Sequence, residues 1–102
     1  MNRQDDLMLW LQNWYHQNCD GDWEHSNGVQ IGNLSNPGWS IKIDIEETEL
    51  QGKQFKQVFI ERSENDWLFC DKRDGFFESN CGPFNLPEVL QIFRDWATEH
   101  GG

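Results

Sequence analysis

Asn36-Pro37-Gly38-Trp39-Ser40-Ile41-Lys42-Ile43-Asp44-Ile45 decides the fold class. Ile41, Ile43 and Ile45 alternate with Lys42 and Asp44, the period-two pattern of a strand with one dry and one wet face. Pro followed by Gly is the order that a type II turn requires, so Asn36-Pro37-Gly38 predicts a hairpin back to a short strand containing Val29, Ile31 and Leu34. Downstream, turn residues at Gly52, at Ser63-Glu64-Asn65 and at Asp74-Gly75 separate three more extended stretches. These run from about Gln54 to Arg62, from Asp66 to about Lys72, and over Phe76 and Phe77. An antiparallel meander of four or five strands is the expectation.

Helices flank this region on both sides. Leu7, Trp10, Leu11 and Trp14 recur at three- and four-residue steps, with Asp5 and Asp6 where negative charge favours a helix start. That helix should end near Asn18. At the other end, Asn85-Leu86-Pro87-Glu88 resembles a capping box with Pro in the first turn. A stripe of Leu86, Val89, Leu90, Phe93, Trp96 and Ala97 follows it, and Gly101-Gly102 ends it. The order helix, meander, helix predicts an α+β fold with both helices on one face of the sheet.

A length of 102 residues fits one domain over 1–102. Hydrophobic residues make up only 36%, yet six Trp and seven Phe supply rings large enough to close a small core. Eighteen Asp plus Glu oppose eight Lys plus Arg, a formal net charge of −10. Such a chain is repelled by nucleic-acid phosphates and anionic lipid and attracted to basic surfaces, although surplus acid also serves solubility alone. The start of the chain lacks the basic and apolar regions of a signal peptide, and no apolar run spans a membrane. Cys19, Cys70 and Cys81 are an odd number without zinc-site spacing, hence free thiols in a reducing compartment. A cytoplasmic location is the expectation.

Cys19-Asp20-Gly21-Asp22-Trp23-Glu24-His25 invites a chemical reading. Asp20, Asp22 and Glu24 match the first, third and fifth positions of a calcium loop, but His25 stands where Gly must bend the chain and Ile31 where a bidentate acid must close the site. A zinc or Cys-His nucleophile built on His16, Cys19 and His25 lacks a recognised spacing. Paired acids such as Glu46 with Glu47, or Glu64 with Asp66, are ordinary on solvated turns. The residues therefore speak against catalysis, with a small metal-dependent enzyme as the alternative.

Recognition suits the same acids better. Asp20, Asp22 and Glu24 with His25 form one cluster, Glu46, Glu47 and Glu49 a second, and Glu61, Glu64 and Asp66 a third. They fall in loops or at strand ends, where they can face a basic protein. Trp23 and Trp67 sit beside two of the clusters and admit two readings: desolvated anchors of an interface, or core residues closing the sheet against the helices.

Leu9 through Tyr15, the Cys19 to His25 segment, Asn36-Pro37-Gly38-Trp39, Ile43-Asp44, Gly52-Lys53 and Ile60-Glu61-Arg62-Ser63-Glu64-Asn65-Asp66-Trp67 together resemble the immunity protein 53 family of bacterial polymorphic toxin systems. The resemblance covers nearly the whole chain. It implies an α+β immunity protein that binds a cognate toxin in the cytoplasm, without catalysis or cofactor. The acids add their own expectation of a basic toxin, a nuclease among the candidates, with an acidic regulatory adaptor for another basic protein as the alternative partner class.

Overall fold

The structure, a computed structural model, describes residues 3–101. Its elements are α1 (Arg3–Asn18), a single-turn α2 (Trp23–Ser26), β1 (Val29–Leu34), β2 (Gly38–Asp44), β3 (Val58–Ser63), β4 (Asp66–Arg73), β5 (Phe76–Cys81) and α3 (Leu86–Glu99). The expected α+β class holds, with five antiparallel strands between an N-terminal and a C-terminal helix. Met1, Asn2 and Gly102 lie outside the described residues.

Strand order corrects the simple meander. The sheet runs β1-β2-β5-β4-β3, so β2 pairs with β5 and β3 lies at the far edge. Residues 45–57 cross one end of the sheet to reach that edge. Leu50 anchors the crossing by full burial, and Phe55 packs its ring 5.4 Å from Phe77 and 5.1 Å from Trp96. The Trp96 indole N–H donates to the Gln54 carbonyl at 2.8 Å, which holds Gln54 against α3. The β3 ladder accordingly starts at Val58, later than the sequence pattern suggested.

Both helices cover one face. Phe93 of α3 is fully buried, with its ring 5.8 Å from Trp10 and 5.1 Å from Trp14 of α1 and 5.0 Å from Phe77 of β5. Ile41, Ile43, Leu68, Cys70, Phe77 and Cys81 line the same face from the sheet. Their alternation puts Trp67, Phe69 and Phe76 on the opposite face, which neither helix covers.

Two local readings change. The first hairpin forms, but its loop is Ser35-Asn36-Pro37, and Gly38 opens β2 opposite Leu34 instead of taking the left-handed angles of a type II turn. Gly is needed there for another reason: a Cβ would collide with the Cys81 carbonyl of β5. Asn85 does precede α3, yet its side chain does not cap the helix. It accepts from the Trp67 backbone N–H at 3.2 Å and donates to Asp66 at 2.9 Å, tying the helix start to β4. The Asp74-Gly75 hairpin is as expected, with φ of 52° and 82° at its two turn residues.

Candidate functional site

The acidic segment after α1 is held by its own carboxylates. Asp20 Oδ1 accepts from the backbone N–H groups of Asp22 and Trp23, both at 2.9 Å, and Glu24 accepts from those of Asp20 and Gly21, also at 2.9 Å. Gly21 makes this closure feasible with φ +97°, a region that costs glycine nothing. The bonds from Trp23 and then Asp22 hold the Asp20 carboxyl below its usual range. Backbone N–H groups do the same for Glu24, its own first and then those of Gly21 and Asp20.

A depressed carboxyl stabilises the folded loop above its ordinary titration range and loses that effect as pH falls through the depressed value. Below about pH 4 the loop should therefore open before the sheet melts. Protection of the Gly21, Asp22 and Trp23 amides, taken relative to the slower intrinsic exchange in acid, would then fall while β4 and β5 stay protected. Equal protection at neutral pH and at about pH 3 would refute the bracing role of these acids.

Trp23 is 2% exposed, which is the core alternative of its two readings. Its ring lies 6.1 Å from Trp14 and 5.9 Å from Tyr15. The indole N–H donates to the Glu46 carbonyl at 2.9 Å. A bond across twenty-three residues of sequence thus joins the first acidic cluster to the second. Asp20, Asp22 and His25 on one loop and Glu46, Glu47 and Glu49 on the other are exposed, while Glu24 is half-buried. Asp74 joins the same end of the sheet, because its hairpin docks through the Ile45 N–H to the Gly75 carbonyl at 3.0 Å. Only its turn dipeptide signalled this in the sequence.

The third cluster lies at the opposite end. An extra residue in β3 between Glu61 and Ser63 breaks the register, and Arg62 reaches Asp66 at 2.8 Å and Glu88 of α3 at 2.6 Å. Asp66 is held below the usual range, chiefly by Asn85 and then by Arg62. Its charge is therefore already matched internally. Glu64 stays exposed on the turn, and Trp67 is half-buried on the face away from the helices, opposite Glu61.

Sequence reasoning passed over the apolar groups that remain outside. Phe59 is 61% exposed beside Phe69, whose ring centre is 6.4 Å away. Met8, Leu9, Tyr15, Ile31 and Phe84 are exposed as well. Alternation along the strands identifies Phe59 and Ile31; no local pattern marks Phe84.

The cysteines are free thiols, and burial pushes those of Cys70 and Cys81 up to about 11, far from the reactive range. Cys19 donates to the Tyr15 carbonyl at 3.3 Å. Among the described residues, no three His, Cys, Asp or Glu side chains are grouped to hold a metal ion.

A family model described as Immunity protein 53 matches residues 8–98. The chain belongs to the immunity protein 53 family. Membership gives it an immunity function in toxin systems and a cognate toxin as partner. The matched span takes in both acidic loops, the whole sheet and nearly all of α3. Comparison with curated proteins and with solved structures found no match.

Proposed function

We propose that this immunity protein neutralises its cognate toxin in the cytoplasm by stoichiometric binding, without catalysis, and that the acidic end of the sheet faces a basic surface of the toxin. The observation that carries this reading is the Trp23 to Glu46 bond, which sets two separate acidic loops side by side. Asp22, Glu46, Glu47, Glu49 and Asp74 then project from one end of a chain with net charge −10. Like charges gathered on loops raise the local potential, which speeds encounter with an oppositely charged partner and sets orientation more than it adds affinity. A polymorphic toxin with nuclease activity fits best, since a groove built for phosphates would accept this array of carboxylates. Glu61 and Glu64 lie at the other end of the sheet, outside this surface.

The toxin domain encoded by the adjacent gene supplies the test. Co-expression should rescue cells from it, and the association rate should fall by about tenfold or more between low salt and roughly 0.5 M. Replacing Glu46, Glu47 and Glu49 together by Lys should slow association by a similar factor with little change in melting temperature. A rate indifferent to salt and to the triple variant would remove the acidic loops from the mechanism.

A further inference from the structure

The two edges of the sheet are unequally protected. β3 carries Glu61 and Arg62 and is interrupted by an extra residue, two of the devices by which sheets avoid unwanted pairing. β1 has none of them. Val29-Gln30-Ile31-Gly32-Asn33-Leu34 contains no charge and no proline, pairs with β2 in an unbroken six-residue register, and is exposed or half-exposed throughout.

The direction of its free backbone groups follows from one bond. The Asp44 N–H donates to the Gly28 carbonyl at 3.0 Å, which makes Gly28 and Asp44 a hydrogen-bonded pair. Antiparallel ladders alternate, so Gln30, Gly32 and Leu34 turn their N–H and C=O groups toward β2, and Val29, Ile31 and Asn33 turn theirs outward.

Recesses lie on both sides of that edge. On the helix side, a recess of about 210 Å³ is lined by Met8, Leu11, Gln12, Tyr15 and Val29, nearly all apolar. On the other side, a shallow groove of about 330 Å³ includes Gln30, Gly32, Lys42 and Glu78, and Gly32 keeps it open by having no side chain. An added strand sends successive side chains to alternate faces, so it would fill both.

We infer that β1 is the docking edge for an extended, lysine- or arginine-bearing strand of the cognate toxin, which joins the sheet as a sixth strand. This rests on the immunity reading above and names its mode of binding. Charge selects the occupant. The N-terminal end of β1 adjoins Asp44, whose carboxylate accepts from the Gly28 N–H at 3.0 Å, and is reached through α2 from the loop of Asp20 and Asp22. A second copy of the chain would bring a further net charge of −10 to the same edge, whereas a basic strand is drawn to it.

Amide hydrogen exchange on the chain alone and in complex with the toxin domain encoded by the adjacent gene tests the assignment. Val29, Ile31 and Asn33 should exchange quickly in the free chain and gain about tenfold or more protection in the complex, while Gln30 and Gly32 are protected in both. Ile31→Pro removes an outward N–H and no ladder bond, so it should keep the fold and weaken binding by about 100-fold. If that variant does not fold, the exchange pattern of the native chain still decides. A complex that forms with the three amides unchanged overturns edge docking and leaves the immunity reading standing. Protection of the same amides in the free chain, together with the mass of a dimer, assigns the edge to a second copy instead. Absence of both complex and rescue overturns the immunity reading, and the docking edge with it.

Discussion

Trp23→Ala is expected to destabilise the fold by about 3 to 5 kcal/mol, the range for removing a buried aromatic side chain. The indole is almost fully enclosed, packs on Trp14 and Tyr15 of α1, and spends its one polar group on the Glu46 carbonyl. Truncation leaves a cavity and deprives that carbonyl of its donor, and the two losses act on the same joint. The acidic loops should then separate even in molecules that remain folded. Urea unfolding measures the first effect, and the salt dependence of toxin association measures the second. Asp22→Asn, one residue away on an exposed side chain, should change stability by no more than about 0.5 kcal/mol. If Trp23→Ala melts like the native chain and loses only toxin binding, Trp23 is an interface anchor and not a core residue.

The pair also shows where the sequence is informative. The pattern in Ile41, Ile43 and Ile45 and the stripe from Leu86 to Ala97 are legible because each depends on neighbours within one element. Strand order is not, since the crossing of residues 45–57 is fixed by Leu50, Phe55 and the Trp96 to Gln54 bond, contacts between distant segments. Gly38 and Asn85 were legible as residues and not as roles. What Gly38 avoids is a carbonyl forty-three positions away, and what Asn85 bonds is the start of another strand.

Acidic clusters suffer the same ambiguity. Composition identifies the carboxylates but not the direction in which they point. Asp20 and Glu24 turn to their own backbone and Asp66 to Arg62 and Asn85, whereas Asp22, Glu46, Glu47 and Glu49 remain exposed. The loop signature is thus divided: Gly21, Trp23 and two of its acids build the turn, and Asp22 stays exposed. An edge at β1 is already what a meander predicts, whereas β3 reaches the other edge only through the crossing of residues 45–57, and that is a property of the topology.

Phe93→Ala should be the other severe substitution, again by about 3 to 5 kcal/mol. Phe93 stands at the meeting point of three elements, with ring centres 5.0 to 6.2 Å from Trp10, Trp14, Phe77 and Trp96. For a domain of this size each kcal/mol corresponds to roughly 4 to 8 °C, so the melting temperature should drop by about 12 °C or more. Phe59→Ala is the matched comparison: the same atoms leave a side chain that is 61% exposed, and the cost should stay below about 1 kcal/mol. Equal melting curves for the two variants would mean that the ring cluster around Phe93 is not the stabilising centre. Under the stoichiometric binding proposed above, protection follows the amount of folded chain, which separates Phe93→Ala from Ile31→Pro. Phe93→Ala should lower rescue through abundance, leaving the affinity of the surviving folded molecules for toxin unchanged, whereas Ile31→Pro should lower affinity at native abundance.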